Sequence, residues 1–132
     1  MIYDWCKTKY GKSKYRRAYP KLRFRSTARK NKYIGLLKGE YYYKSNEIFV
    51  YAELHYYEED PLLDVINTII HEYKHFLQNM NNYDMYFNKY YYSYESHPYE
   101  ITCNRFAEKE QYECYYFIRK NLLKMGNGVL TS

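Results

Sequence analysis

The sequence predicts an α+β domain in which a small antiparallel sheet is followed by two helices. Three observations carry this. The run EIFVYAEL at 47–54 crowds β-branched and aromatic residues together, the composition of a strand. From Leu62 to Met80, apolar residues return every three or four positions, the period of a helix with one buried face. A second helical stretch opens at HPYE, 97–100, where proline suits a first turn.

Each element has a local reason. Residues 7–32 form a basic segment with 12 Lys or Arg and no acid. Its first half, KTKYGKSKYRR, interleaves cations with tyrosine and reads as a flexible arm or a short helix. In KLRFRST, Leu22 and Phe24 alternate with Arg23 and Arg25, a strand pattern with one basic face. KYIGLLKGEYYY (32–43) is β-like, with Gly35 and Gly39 marking a bulge or turn, and KSN (44–46) has turn chemistry. EIFVYAEL follows as the strongest strand. Asp60 and Pro61 then cap and open the first long helix. Its stripe is Leu62, Ile66, Ile69, Tyr73, Phe76 and Met80, and QNMNNYD (78–84) ends it. MYFNKYYYSYES (85–96) reads as a tyrosine-rich loop. The second helix should present Ile101, Phe106, Tyr112, Tyr116 and Ile118, run to about Lys124, and stop at GNG, 126–128.

Length and composition narrow the function classes. A chain of 132 residues suits one domain, divided here into a basic arm or first strand region (1–32) and a core (33–132). No apolar run is long enough for a membrane span, and the first residues lack the pattern of a secretory signal. Three cysteines without paired spacing argue against a disulfide framework and for a reducing compartment, the cytoplasm. The 22 tyrosines, set against 5 glycines, fit an AT-rich coding sequence such as a viral one, which would place the protein in the host cytoplasm. The charge is divided: residues 33–132 are net acidic although the whole chain carries +6.

The chemistry centres on HEYKH, 71–75. Residues four apart on a helix lie on the same side, so His71 and His75 can hold one metal ion. Glu72 then points beside the metal, where it can take a proton from a metal-bound water. A plain solvated helix face is the rival reading. The histidines lie off the centre of the apolar stripe, beside Asn67, Thr68 and Gln78, on a face able to line a cleft. A hydrolytic zinc site needs three protein ligands and an open position. The downstream candidates for the third are His97 and Glu100.

The pattern His-Glu-x-x-His, then a Glu that begins a helix with Asn four residues later, resembles the gluzincin class of zinc metallopeptidases. The stretch EITCNRFAE (100–108) is similar to the second motif of ImmA/IrrE-type peptidases and related small phage proteins. The resemblance covers roughly residues 47–120. It implies a small zincin-like fold and a Zn2+ site of His71, His75 and Glu100. It also implies Glu72 as the catalytic base and Asn104 as the residue that orients a ligand histidine. Cys103 stands where those peptidases commonly have alanine. A third-ligand His97 would instead resemble the three-histidine zincins. Zincins often stabilise the oxyanion with Tyr, His or Arg, for which Tyr94, His97 and Arg105 are candidates. The same resemblance implies that an edge strand pairs with an extended peptide substrate, and EIFVYAEL is the candidate edge, with an interior strand as the alternative.

The basic segment supplies a second set of candidates. Lys12, Lys14, Arg16, Arg17, Arg23 and Arg25, with Tyr10, Tyr15, Tyr19 and Tyr33 between or beside them, can grip phosphates and stack on bases. Nucleic acid or another anionic partner is therefore an expected contact. A solubilising arm and a docking segment over the cleft are the alternatives. The rival to the peptidase reading is a nucleic-acid-associated or virion structural protein with an inactive zincin-like core.

Overall fold

The computed structural model describes residues 1–31 and 35–131. It is an α+β fold of five α-helices, one turn of 3-10 helix (Met80–Asn82) and five short strands among those residues. They are α1 (Ile2–Tyr10), β1 (Lys21–Arg25), β2 (Arg29–Asn31), β3 (Gly35–Leu37), β4 (Gly39–Tyr42), β5 (Glu47–Tyr51), α2 (Ala52–Tyr56), α3 (Pro61–Leu77), α4 (Tyr83–Asn88) and α5 (Pro98–Thr131). β2 and β3 pair antiparallel in a two-stranded sheet, and β1, β5 and β4 make the main sheet in that order.

The sheet is mixed rather than antiparallel. β4 turns back into β5 through residues 43–46, where Asn46 takes φ 55° and its side chain accepts from the Tyr41 hydroxyl at 2.7 Å. β5 thereby enters between β4 and β1 and runs parallel to β1, with Leu22 opposite Ile48 and Phe24 opposite Val50. This placement also corrects the edge assignment. The EIFVY run is the central strand, because its crowding of β-branched and aromatic residues serves burial: Ile48 and Val50 are fully enclosed. The exposed edges fall to β1 and β4. Residues 52–54 leave the strand altogether and start α2.

α3 lies between this sheet and α5. Its start is built as the sequence requires. The Asp60 carboxylate accepts from the Leu63 N–H at 3.3 Å, Pro61 occupies the first turn, and the Tyr115 hydroxyl reaches the same carboxylate at 2.5 Å, tying α5 to the cap. Ile66, Ile69, Tyr73 and Phe76 are buried on the predicted stripe. β4 lies against Thr68 and Glu72, and Glu100 of α5 lies against His71 and His75, so these four are buried too.

α5 differs from expectation in phase and length. Its buried line runs through Glu100, Cys103, Ala107, Cys114 and Ile118, whereas Tyr112 and Tyr116 are 52% and 70% exposed. Small residues let α5 approach α3 closely, and tyrosine hydroxyls are content in water. The helix continues past Lys124 through Gly126 and Gly128 to Thr131, since an interior glycine costs a helix only about 1 kcal/mol. α4 takes the start of the segment expected to be a loop.

The N-terminal segment belongs to the same core. Tyr3 and Cys6 of α1 pack into the main hydrophobic cluster, and β1 is a strand of the main sheet. The 32/33 division and Tyr33 lie outside the described residues. Among the described residues no helix is long and apolar enough to cross a membrane.

Candidate metal centre

Two helix ends create the site. His71, Glu72 and His75 occupy the last turns of α3, and Glu100 sits in the first turn of α5, where the positive end of the helix favours a carboxylate. His71 Nε2 lies 3.0 Å from Glu100 Oε1, and His75 Nε2 lies 2.9 Å from Glu100 Oε2. One carboxylate thus faces both imidazoles. Glu72 Oε2 is 3.9 Å from His71 Nε2, beside that meeting point. His71, Glu72, His75 and Glu100 are all less than one-tenth exposed.

Gln78, just past the end of α3, fixes His75. Its Oε1 accepts from His75 Nδ1 at 2.9 Å, and its side-chain amide donates to the Tyr99 carbonyl at 3.3 Å. The far edge of the ring is thereby held and Nε2 is left for Glu100. Cys103 Sγ stands 3.6 Å from the same Gln78 oxygen. The thiol also comes within 4.8 Å of donor atoms of both histidines, so His71, His75 and Cys103 form a second possible donor set.

The electrostatics follow from burial and proximity. Burial opposes ionisation of Glu100, yet His75 and hydrogen bonds from both imidazoles hold its carboxyl well below the usual carboxylate range. Burial likewise disfavours the His75 cation, but Cys103 and Glu100 raise its pKa well above the ordinary histidine value. For Glu72, burial raises the pKa, the two histidines lower it, and Glu100 and Glu40 raise it again, with a net rise. Burial lifts the Cys103 thiol, against the pull of His75.

The site opens into a cleft of about 360 Å³. One wall is the edge strand β4 with Tyr43, the other is α4 with Tyr94, and Glu72, His75 and Glu100 form the floor. β4 reaches α3 this closely because residue 39 is glycine. A Cβ there would stand 2.5 Å from Thr68 Cγ2, 2.9 Å from the Phe49 carbonyl oxygen and 3.5 Å from Glu72 Cγ.

The other predicted residues fall in different places. His97 is fully buried, but both ring nitrogens are used: Nε2 donates to the Tyr83 carbonyl at 2.9 Å and Nδ1 accepts from the Tyr99 N–H at 3.1 Å. It caps α5 and is not available as the third ligand or an oxyanion donor. Asn104 is exposed and makes no contact with a histidine, because the buried line of α5 passes through Cys103 and turns its neighbour outward. Gln78 does the orienting instead. Arg105 is exposed, whereas Tyr94 does line the cleft. The basic residues do not form one patch. Arg16 donates to the Tyr43 carbonyl, Lys12 lies over the Tyr19 ring, Arg23 pairs with Glu47 at 2.8 Å, and Arg25 lies over Phe49. Lys14 and Arg17 are exposed.

Sequence reasoning missed Gln78 and Tyr83 as parts of the site. Tyr83 donates to Glu100 Oε2 at 2.5 Å and stacks on His97, with ring centroids 4.2 Å apart. Gln78 was within reach of a spacing rule, three residues after His75. Among 22 tyrosines nothing local marked Tyr83.

No family model matches the chain, and no curated protein or solved structure does either.

Proposed function

We propose that this protein is a zinc-dependent endopeptidase of gluzincin type, acting in the cytoplasm, or in a host cytoplasm if its source is viral. His71, His75 and Glu100 hold the metal, and Glu72 is the general base. The observation that carries this is the convergence of two imidazole Nε2 atoms on one carboxylate, at 3.0 and 2.9 Å, with Glu72 beside them, 3.9 Å from His71 Nε2, at the floor of a cleft. Donors on one tetrahedral zinc stand about 3.3 Å apart, so these three side chains need to part only slightly to take the ion. Two histidines and a glutamate are a known donor set for catalytic zinc.

A bound zinc would supply an acidified water and a Lewis acid for the peptide carbonyl. The residues here would do the rest. Glu72, raised by burial, accepts the proton from the attacking water and passes it to the leaving amine. Gln78 keeps the His75 ring aimed at the metal position. Tyr83 steadies Glu100, and Tyr94 stands over the floor as a donor to the developing oxyanion. The outer edge of β4, paired with no other strand among the described residues, runs along the cleft and offers backbone groups to an extended peptide or protein substrate.

Cys103 motivates a second reading. If its thiolate joined the histidines and Glu100, four protein ligands would close the shell and the metal would serve structure alone. Metal analysis with three variants separates these. For the enzyme, Glu72→Gln keeps zinc and loses peptide cleavage, Glu100→Ala loses zinc, and Cys103→Ala keeps both zinc and cleavage. Zinc lost in Cys103→Ala, with no cleavage by the unmodified chain, establishes the structural site instead.

A further inference from the structure

A second pocket of about 320 Å³ adjoins the cleft, and the two share Tyr41, Tyr43 and Met80 as a common wall. Its chemistry is opposite. The metal cleft is floored by Glu72 and Glu100, whereas the second pocket is lined by Arg16 and Arg17 and by the amides of Gln78, Asn79 and Asn81, with no carboxylate among the described lining residues. Arg16 is half-buried and anchored on the Tyr43 carbonyl at the end of β4, so its charge is fixed in position; Arg17 is exposed and adaptable. Two guanidinium groups beside the side-chain amides of Asn79 and Asn81 suit a carboxylate.

From this we infer that the pocket is a substrate subsite for a carboxylate, three to four residues from the bond that is cut. This rests on the peptidase reading and narrows its substrate class to peptides with an acidic group at that distance. The spacing follows from two paths. Gly39 lies against Glu72, and from Gly39 to Tyr42 the strand advances about 10 Å, with Tyr43 one turn residue further on. Along the helix, from Glu72 to Gln78, the rise is about 9 Å. An extended peptide covers about 3.3 Å per residue, so these distances correspond to three or four residues. The loop carrying Arg16 and Arg17 is thus a substrate contact, which gives part of the basic N-terminal segment a role at the cleft.

The test uses fluorescein-labelled ten-residue peptides of neutral sequence with a single glutamate moved through every position, made with free and with amidated C-termini. Cleavage by the zinc-loaded full chain should favour a glutamate three or four residues to one side of the cut by about fivefold in KM, the gain of about 1 kcal/mol available to a partly exposed ion pair. In Arg17→Glu the ratio of acidic to neutral peptide should fall to one or below. Preference for a free C-terminus at that spacing, without preference for internal glutamate, identifies a terminal carboxylate as the ligand. Equal KM for all peptides, or a preference that survives Arg17→Glu, overturns the subsite. If no peptide is cut, the hydrolase reading fails and the pocket is judged separately by anisotropy with Glu72→Gln. Tighter binding of acidic peptides that is lost with Arg17→Glu sustains the subsite; no difference from neutral peptides refutes it.

Discussion

Gly39→Ala tests how closely the edge strand must approach the helix that carries His71 and His75. The new methyl group would start 2.5 Å from Thr68 Cγ2 and 2.9 Å from the Phe49 carbonyl oxygen. Carbon atoms pack at about 3.5–4.0 Å, so β4 must retreat from α3 by about 1 Å. Neither neighbour can yield easily. Thr68 is buried on the helix, and Phe49 is backbone of the central strand. Overpacking of this kind costs about 1–3 kcal/mol, and a backbone neighbour argues for the upper half of that range. For a domain of this size the loss corresponds to a fall in Tm of roughly 10 °C. Thermal and urea unfolding of the metal-free and zinc-loaded chains would measure it. Thr68→Ser removes the nearer obstacle, so the double variant should recover about 1 kcal/mol relative to the sum of the single changes. A Gly39→Ala protein that melts within 2 °C of the unmodified chain, or a pair of changes that simply add, would refute the close contact.

Other outcomes follow from the site. Gln78→Ala should weaken zinc binding by about 10- to 100-fold in a competition titration, because it frees His75 to rotate, whereas Asn104→Ala should leave affinity unchanged. His97→Ala removes a fully buried ring that satisfies two backbone groups, and should cost about 2 kcal/mol in denaturant unfolding without removing a metal ligand. The chelated and zinc-loaded forms should respond oppositely to pH. Without metal, the lowered Glu100 pKa contributes stability that is present above about pH 4.3 and lost as pH falls. The raised His75 pKa contributes stability that is full below about pH 6.5 and lost as pH rises through the folded value. The metal-free protein should therefore be most stable between these limits and weaken above them. The zinc-loaded form should gain on the alkaline side, because binding displaces the His75 proton. Melting curves across pH 4–9 with and without chelator would show it.

The helix of HEYKH, its Asp60–Pro61 start and its buried stripe were legible in the sequence because they are local. The angle between residues four apart is fixed by helix geometry alone, so His71 and His75 had to share a side wherever the helix lay. The position of Glu100 at the head of a second helix was legible for the same reason. That Glu100 meets both imidazoles was an expectation from resemblance; the distances of 3.0 and 2.9 Å came only with the packing of α5 on α3.

Sequence alone determined the two long helices and which chemical groups they carry, while α2 and α4 formed where a strand end and a loop were expected. Tertiary structure decided which of those groups meet. The line of small residues Cys103, Ala107 and Cys114 set the rotation of α5, and that rotation brought Glu100 inward and turned Asn104 out. Strand order was decided in the same way, with β5 at the centre because Ile48 and Val50 needed cover and β4 left at the edge beside the cleft. Such choices depend on surfaces that are far apart along the chain, and the spacing of residues within one element does not contain them.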